Sequence, residues 1–474
     1  MSVAHLESQS EITAETFRPL YDAQSAYFKT GITRTYEFRR TQLKKLESII
    51  RENESQIAAA LYKDLRKHPQ EAYMTETGAV LEEIKVQLRN LKAWMRPKTV
   101  TSSIFLFPAH SYIVPDPLGT VLVISPWNYP ILLTLRVVAG AIAAGNTLVI
   151  KPSELSPNTS ELMASILNEA FPKEYLHVLL GEGATVLPGL LEHFHFDHVM
   201  YTGSTSVGKK IMAMAAKQLS PVTLELGGKS PCVVEPDANL KIAAKRIVWG
   251  KLINAGQSCV APDYILVHES IKTVFIETLI KEIERGFGTN PQKSSSYARI
   301  INQKRFNQLL TYLQEGTIVY GGQYDASDLY IAPTILENIH PDAGIMKDEL
   351  FGPLLPVFSY KDKQEALDFI DRNPYPLAFY LFTSSTTTER YFMERLRFGG
   401  GAVNETILQL ANSALPYGGV GYSGHGRYLG KYSFDTFTHY KGIVKRATWF
   451  EPFFRHAPFH PMKTKLWRFL LGRK

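Results

Sequence analysis

An α/β protein built from doubly wound parallel sheets is the fold class that the sequence predicts. Strand-like runs alternate with helical segments, and the runs are apolar throughout, as in strands that helices cover on both faces. This rhythm occurs twice, so two α/β units with a cleft between them are expected. A chain of 474 residues is also long enough for two or three domains with buried cores.

The chain is expected to begin with helices. Glu, Lys, Arg and Leu recur at helical spacing over residues 34–66 and 70–94. Residues 99–119, "TVTSSIFLFPAHSYIVPDPLG", then alternate and carry β-branched and aromatic residues with prolines, which predicts a hairpin-like excursion.

The first α/β rhythm follows that excursion. Its longest apolar run, residues 131–150, is interrupted by Arg136 and by a Gly145-Asn146 turn signal. These interruptions predict a helix, a turn and a strand inside a core rather than a transmembrane helix. Strands are expected over 120–124, 147–150, 198–201 and 222–226, with helices over 130–143, 159–170 and 205–219.

The second rhythm begins after residue 227. The runs "SPCVVEP" and "YILVH" are predicted to be strands on either side of a helix over 239–253. Later helices are expected over 270–286 and 301–315.

The composition predicts a soluble protein of a reducing compartment. Apolar residues make up 45% of the chain and charged residues 20%, which is ordinary for a globular protein. Two cysteines, Cys232 and Cys259, are too few for a disulfide framework, and no secretory signal precedes the polar start "MSVAHLESQSEITAET". A cytoplasmic location is therefore expected.

The net charge of +7 is concentrated in the C-terminal tail. From Arg455 onward the chain carries six Lys or Arg residues and no acid, and without those six the net charge falls to +1. One interpretation is attachment to an anionic membrane surface, with Trp467, Phe469, Leu470 and Leu471 as the apolar contribution. Docking on the protein itself or on a partner subunit is favoured, because the apolar residues are few and their helical face is poorly formed.

A glycine-rich turn lies between a predicted strand and helix in "HVMYTGSTSVGKKI". Backbone N–H groups and a helix N-terminus at such a turn suit a pyrophosphate. The pattern departs from G-x-G-x-x-G because Thr205 stands at the middle glycine position, so a plain strand-to-helix turn remains an alternative.

Two further residues are candidates for a catalytic or binding role. Glu225, in "TLELGGKSP", has the spacing of a ribose ligand, and it also suits a general base at a strand end. Cys259, in "INAGQSCVAPDYIL", stands on a loop of small residues that we expect to be exposed, a setting typical of reactive thiols. Cys232, by contrast, is predicted to be a buried structural cysteine.

Other motifs favour no function. His193, His195 and His198 lie near Asp197, but this segment runs straight into a core strand, so no metal site is expected. "GYSGHG" departs from the G-x-S-x-G pattern of serine hydrolases at His425. No Walker A motif is present, and no nucleic-acid-binding pattern appears outside the tail.

Seven blocks in order make the chain resemble the aldehyde dehydrogenase superfamily over about residues 30–446. They are "PWNYP", "KPSELSP", "YTGSTSVGK", "LELGGKSP", "NAGQSCVAPDY", "DELFGPLLPV" and "PYGGVGYSGHGRYLGKYSFDTFTH". The sequence around Cys259 and near the C-terminus is most similar to the class 3 branch, which includes fatty and aromatic aldehyde dehydrogenases. Gln409 departs from that branch, where histidine is frequent.

The resemblance implies a role for each matching residue. Cys259 is implied as the nucleophile, Glu225 as the general base, and Asn128 as the amide that holds the oxyanion with the Cys259 backbone N–H. The implied cofactor contacts are Trp127, Lys151, Glu154, Gly203, Ser204, Gly208, Glu349 and Phe351.

The resemblance also implies a domain plan. A Rossmann-like NAD(P)-binding domain would span 1–98 and 118–226, and a catalytic domain with the cysteine would span 227–415. Residues 99–117 and 416–446 would form a small β bridging element for oligomerisation, followed by the basic tail 447–474. The implied assembly is a homodimer that uses NAD or NADP.

The implied reaction oxidises a medium or long aliphatic aldehyde, or an aromatic one, to the carboxylic acid. A second enzyme hypothesis transfers the acyl group to coenzyme A or phosphate instead of water. The acid at Glu225 argues against it, because a water-activating base fits hydrolysis better. A binding protein without activity on the same fold is disfavoured by the intact set of Asn128, Glu225 and Cys259.

Overall fold

The computed structural model describes residues 13–472, which begin with helices as expected. The helix predicted over 34–66 is interrupted, because the Asn53 side chain bonds the Ile49 carbonyl and the backbone leaves the helical region. The N-terminal segment without a secretory signal lies mostly outside the described residues. The N-terminal helices are Ala14–Lys29, Tyr36–Glu52, Glu54–Leu65, Pro69–Ala72 and Gly78–Trp94.

The first predicted alternation of strands and helices forms a six-stranded sheet. Five strands are parallel, and the short edge strand Gly424–His425 is antiparallel. Every residue of Thr120–Ile124 is buried, as an unbroken apolar strand predicts. Across the sheet the strands are Gly424–His425, Val222–Glu225, His198–Thr202, Thr120–Ile124, Thr147–Lys151 and Leu176–Val178, with helices Leu132–Ala144, Pro157–Ala170, Gly183–Leu191 and Thr205–Ala216.

The strand order of this sheet reverses beside Thr120–Ile124. The chain runs outward through Thr147–Lys151 and then returns to the other side at His198–Thr202. Ligands of doubly wound sheets bind at the carboxyl ends of strands at such a reversal. Trp127 and Asn128 follow the strand Thr120–Ile124, and Gly203 follows the strand His198–Thr202.

A seven-stranded sheet forms the second α/β unit. Its strands are parallel except for Thr317–Tyr320 at one edge. Cys232 is fully buried in this sheet, as predicted. The strands in order are Thr317–Tyr320, Thr334–Glu337, Leu354–Tyr360, Tyr264–His268, Pro231–Val234, Ala378–Phe382 and Gly400–Val403, and the main helices are Leu240–Leu252, Lys272–Phe287, Gln303–Tyr312, Lys363–Ile370 and Thr386–Arg395.

The predicted hairpin is part of a three-stranded sheet. Lys98–Val100 pairs with Ala109–Pro117, and Thr438–Arg446 pairs with the other edge of that strand. The two segments predicted as a bridging element therefore meet in one sheet. Their role in subunit contact stays a prediction.

The tail forms the helix Pro461–Leu470. Trp467 packs against the rings of Phe105 and Phe454, so part of the tail docks on its own chain. Phe459 and Phe469 are nevertheless 84% and 80% exposed. Among residues 13–472, no helix is long and apolar enough to span a bilayer.

Candidate active site

The backbone turns sharply just before Cys259. The helix Leu240–Leu252 ends, and Asn254, Ala255 and Gly256 all have positive φ angles, of 51°, 52° and 76°. The first two lack the conformational freedom of glycine, so this turn is strained. A Cβ on Gly256 would lie 2.2 Å from the Gly352 carbonyl oxygen, so only glycine fits this approach.

The expectation that the cysteine loop is exposed is wrong. Residues 253–266 are buried apart from Cys259, which is partly exposed. Gln257 fixes the loop, because its amide donates to the carbonyls of Asn254 and Arg299 and accepts from the Ile301 N–H. Small residues here allow close backbone packing instead of leaving the loop loose.

Burial sets the protonation of the Cys259 thiol. It raises the pKa of Cys259 to about 12, and the nearby Glu349 and Glu225 carboxylates also raise it. The Tyr417 hydroxyl lies 3.3 Å from Cys259 Sγ and acts in the opposite direction. Sequence reasoning did not single out Tyr417 as a site residue, although it lies in "PYGGVG", at the start of the last block that carries the resemblance.

Asn128 lies against the cysteine loop. The Asn128 side-chain amide donates to the Gln257 backbone carbonyl over 3.1 Å. The Asn128 backbone carbonyl accepts from Asn254 Nδ2 over 2.9 Å. Asn128 is buried, so its amide is held in place beside the residues that lead to Cys259. The structure therefore places the predicted amide against the loop that carries the predicted nucleophile.

A buried ion pair supports Asn128 from the other side. Lys67 Nζ lies 2.6 Å from Glu76 Oε1 and 3.3 Å from the Asn128 carbonyl oxygen, and both charged side chains are fully buried. Glu76 Oε2 accepts the N–H groups of Ile131 and Leu132 at the start of the next helix. Sequence reasoning missed this pair, because neither residue belongs to a recognisable motif: Lys67 lies in the short connection after the helix Glu54–Leu65, and Glu76 lies among helical residues.

Glu225 ends the strand Val222–Glu225 and is 1% exposed. Neither of its carboxylate oxygens has a hydrogen-bond partner among residues 13–472. Burial raises its pKa well above the ordinary value. Its backbone carbonyl accepts the Gly203 N–H over 3.0 Å, which joins this residue to the glycine-rich turn.

The glycine-rich turn opens the helix Thr205–Ala216. Ser204 is the N-cap residue, and its hydroxyl accepts the Val207 N–H. A Cβ on Gly203 would lie 2.3 Å from the Tyr201 hydroxyl, and one on Gly208 would lie 2.7 Å from Leu226. A Cβ at either glycine would force one of these side chains to shift, and the turn lies beside the reversal point of the sheet.

Lys151 and Glu154 form a pair after the next strand of the sheet. Lys151 is buried, and its ammonium group donates to Glu154 Oε2 over 3.0 Å and to the Pro152 carbonyl over 2.6 Å. Partial burial opposes ionisation of Glu154, but backbone N–H groups and Lys151 outweigh it and lower the pKa. The pair places one cation and one exposed carboxylate at a single strand end.

Trp127, Glu349 and Phe351 converge between the two α/β units. The Trp127 and Phe351 rings pack edge to face with centroids 5.2 Å apart. Glu349 Oε1 is buried without a hydrogen-bond partner among the described residues, and a Cβ on Gly227 would lie 1.9 Å from Oε2. A polar ligand at this position would satisfy that oxygen.

Gln409 and the histidine cluster have structural contacts. Gln409 Nε2 donates to the Tyr380 hydroxyl over 3.2 Å. His198 is buried beside the Thr223 hydroxyl, and His195 bonds the Gln218 carbonyl. Burial lowers the pKa of His198 to about 4. Among residues 13–472, no group of three or more His, Cys, Asp or Glu is placed to hold a metal ion.

Comparison with known proteins agrees with this geometry. Residues 4–443 match the aldehyde dehydrogenase family. The chain belongs to this family. It is 47% identical over 430 residues to the 4,4'-diaponeurosporen-aldehyde dehydrogenase of Staphylococcus aureus, covering 90% of this chain and 93% of that protein. It is 42% identical over 421 residues to the dimeric NADP-preferring aldehyde dehydrogenase of the dog, covering 89% and 92%.

Solved structures show the same fold. The substrate-bound state of Staphylococcus aureus AldH superposes with a TM-score of 0.93 at 44% identity, covering 97% of this chain and 99% of that one. The NAD⁺ complex of a Bacillus cereus aldehyde dehydrogenase superposes with a TM-score of 0.83 at 28% identity, covering 92% and 89%. The 474-residue chain is therefore an aldehyde dehydrogenase that oxidises an aldehyde to the carboxylic acid with NAD or NADP.

Proposed function

We propose that Cys259 is the nucleophile of this oxidation and that the reaction passes through a thioester on its sulfur. A neutral planar aldehyde does not readily release hydride. Addition of the Cys259 thiolate forms a C–S bond and converts the carbonyl oxygen to an alkoxide, from which hydride can leave. The observation that carries this proposal is the convergence of Cys259, Asn128 and Glu225 in one buried region.

Asn128 is proposed to stabilise the alkoxide. Its amide is fixed before the reaction by the Gln257 carbonyl and the packing around the cysteine loop. Donors held in place in this way lower such barriers by about 3 to 4 kcal/mol. The Cys259 backbone N–H is the proposed second donor.

The cofactor is proposed to lie across the reversal point of the six-stranded sheet. When bound, oxidised NAD or NADP accepts the hydride and leaves reduced. The unpartnered Glu349 oxygen fits a ribose hydroxyl, and the Trp127 and Phe351 rings fit a flat nicotinamide. The proposed contacts are Trp127, Glu349 and Phe351 at the nicotinamide end, Lys151 and Glu154 at the adenosine ribose, and Gly203, Ser204 and Gly208 at the pyrophosphate.

Glu225 is proposed to hydrolyse the thioester. Its raised pKa makes it a stronger base than an ordinary carboxylate, so it takes a proton from water as the water oxygen adds to the acyl carbon. The C–S electrons then return to sulfur, and the carboxylic acid leaves. This step distinguishes oxidation to the acid from acyl transfer to coenzyme A or phosphate.

The substrate is proposed to be a medium or long aliphatic aldehyde or an aromatic one. Tyr129, Tyr380 and Tyr417 lie near Cys259, so the surroundings of the thiol are largely aromatic, which suits an apolar chain. The name of the Staphylococcus aureus relative refers to diaponeurosporen-aldehyde, which also supports an apolar substrate.

The assembly is proposed to be a cytoplasmic homodimer. The name of the dog relative includes the word dimeric, and both cysteines of this chain are free thiols, as a reducing compartment predicts. We also propose that residues 1–98 and 118–226 form the cofactor-binding domain and that residues 227–415 form the catalytic domain. The tail is proposed to dock on its own chain or the partner rather than on a membrane, since Trp467 already packs on Phe105.

Two variants test the mechanism. Cys259→Ala is expected to abolish NADH or NADPH formation from an aldehyde, measured by absorbance at saturating cofactor. Glu225→Gln is expected to form one equivalent of reduced cofactor in a burst and then stall, because the thioester persists. Activity that survives in Cys259→Ala would refute the nucleophile, and steady turnover by Glu225→Gln would refute the base.

A further inference from the structure

We propose that Tyr417 is a catalytic residue whose phenol donates a hydrogen bond to Cys259 Sγ and stabilises the thiolate. The inference rests on the proposed function of Cys259 as nucleophile. No motif or composition argument assigned a role to Tyr417.

The Tyr417 hydroxyl is held in place from several directions. It lies 3.3 Å from Cys259 Sγ, and the Tyr417 side chain is 8% exposed. The Tyr417 backbone exchanges two hydrogen bonds with Tyr428, at 2.9 and 2.7 Å, and the two rings pack edge to face 5.3 Å apart. A donor that is fixed before the reaction requires no reorganisation when charge appears on sulfur.

The direction of this hydrogen bond depends on the charge of the sulfur. In the neutral pair either group can donate. A thiolate carries no proton, so the phenol must then be the donor, and hydrogen bonds to an ionised acceptor are the strong class. The contact therefore favours the ionised sulfur over the neutral thiol.

The other side chains that face Cys259 do not supply this stabilisation, although the Cys259 backbone N–H also lowers the thiol pKa. The carboxylates of Glu225 and Glu349 raise its pKa. Three other tyrosine rings lie nearby, but their hydroxyls are committed elsewhere or unpaired. The Tyr380 hydroxyl donates to the Val260 carbonyl, Tyr129 bonds the Ser258 side chain, and the Tyr428 hydroxyl has no partner among residues 13–472.

The same contact serves two stages of the reaction. During attack, the sulfur loses its proton to solvent or a base and then donates an electron pair to the aldehyde carbon. During hydrolysis, the water oxygen bonds to the acyl carbon, Glu225 takes the water proton, and the C–S electron pair returns to sulfur. Tyr417 donates to the sulfur when it is negative before attack and again when it leaves.

The test uses Tyr417→Phe with Tyr428→Phe as the matched control. Each change removes one buried hydroxyl from the same pair of rings, but only the first removes a contact with sulfur. The rate of alkylation by iodoacetamide is measured against pH in the full chain without cofactor, with modification of the Cys259 peptide followed by mass spectrometry. Thermal unfolding of both variants is recorded alongside.

Tyr417→Phe is expected to raise the apparent pKa of Cys259 by about one unit or more, which is a tenfold smaller thiolate fraction at neutral pH. Tyr428→Phe is expected to leave that pKa unchanged. The aldehyde kcat/KM of Tyr417→Phe should fall at low pH and approach the parent value at high pH, where the thiolate forms without help. A purely structural defect would lower activity equally at every pH.

Two results separate the possible failures. If Tyr417→Phe and Tyr428→Phe give the same alkylation pKa as the parent chain, the role of Tyr417 is overturned while Cys259 remains the nucleophile. If Cys259→Ala still oxidises aldehyde, the proposed function itself fails, whatever the alkylation profile shows.

Discussion

The Lys67–Glu76 pair is predicted to carry much of the stability around Asn128. Both side chains are fully buried, 2.6 Å apart, and they bond the Asn128 carbonyl and two helix N–H groups. Removing one charge leaves the other buried without its partner. Such a loss costs about 3 to 5 kcal/mol, whereas replacing both charges with apolar groups is often nearly neutral.

The three variants Lys67→Met, Glu76→Leu and Lys67→Met/Glu76→Leu separate these effects. Glu76→Leu should destabilise by about 3 to 5 kcal/mol, because the Lys67 charge is left unpaired. The double variant should lose less than the sum of the single changes, although Leu cannot accept the N–H groups of Ile131 and Leu132. Urea unfolding followed by tryptophan fluorescence measures the differences in free energy.

The pH dependence of Lys67→Met has a defined sign. Burial already raises the pKa of Glu76, and the loss of Lys67 removes the largest effect that lowers it. The folded chain then keeps a proton on Glu76 that the unfolded chain releases above its lower pKa. Stability must therefore fall as pH rises above that unfolded value, so Lys67→Met is expected to be more stable at pH 5 than at pH 8, relative to the parent chain.

Activity gives a second measurement of the same pair. Lys67 bonds the Asn128 carbonyl, so its loss should lower kcat for aldehyde oxidation more than it raises KM. Additive free energies in the single and double variants would contradict direct coupling between the two charges. A Lys67→Met variant with parent stability at pH 8 would refute the importance of the buried pair.

Two further predictions concern the cofactor. Gly227→Ala places a Cβ 1.9 Å from Glu349 Oε2, so the carboxylate must move, and KM for NAD should rise about tenfold, which corresponds to about 1.4 kcal/mol. Gly286→Ala is the control, because its Cβ meets nothing within 4 Å, and equal KM values in the two variants would refute the role of Glu349. Glu154→Gln should raise the ratio of kcat/KM for NADP to that for NAD about tenfold, since a negative charge no longer repels the 2′-phosphate. Glu161→Gln, on the exposed side of the following helix, should leave this ratio unchanged, and an unchanged ratio in Glu154→Gln would place the adenosine ribose elsewhere.

The sheets could be predicted because their strands are apolar on both faces. Thr120–Ile124 and Thr147–Lys151 are buried at every position, and such runs are interpretable without knowledge of their neighbours. The break at Asn53 could not be predicted in the same way, because no glycine or proline marks it. An asparagine side chain that bonds the carbonyl four residues earlier ends the helix instead.

The chemistry around Cys259 was only partly visible in the sequence. Cys259, Glu225 and Asn128 stand in blocks that carry the family resemblance, so their roles could be proposed from one chain. Lys67 lies outside these blocks, and Tyr417 stands in one without a role that the block reveals, because the roles of both depend on contacts made across 61 and 158 positions of the chain. The expected exposure of the loop around Cys259 is wrong because small residues predict a loose loop, whereas here they permit close packing around Gln257.

The surroundings of the proposed nucleophile and the proposed base differ, and this difference matches the order of the proposed steps. Cys259 is hydrogen-bonded to the Tyr417 hydroxyl and lies on a loop that Gln257 holds in place. Neither carboxylate oxygen of Glu225 has a hydrogen-bond partner among residues 13–472. A nucleophile must meet one carbon along one direction, so it benefits from rigidity. A base for hydrolysis must serve a water that arrives only after hydride has left, so its carboxylate has to remain unbonded and free to turn. Burial raises the pKa of both groups, which opposes the thiolate that the proposed first step needs, where Tyr417 would help, and favours proton uptake by Glu225 in the proposed second step.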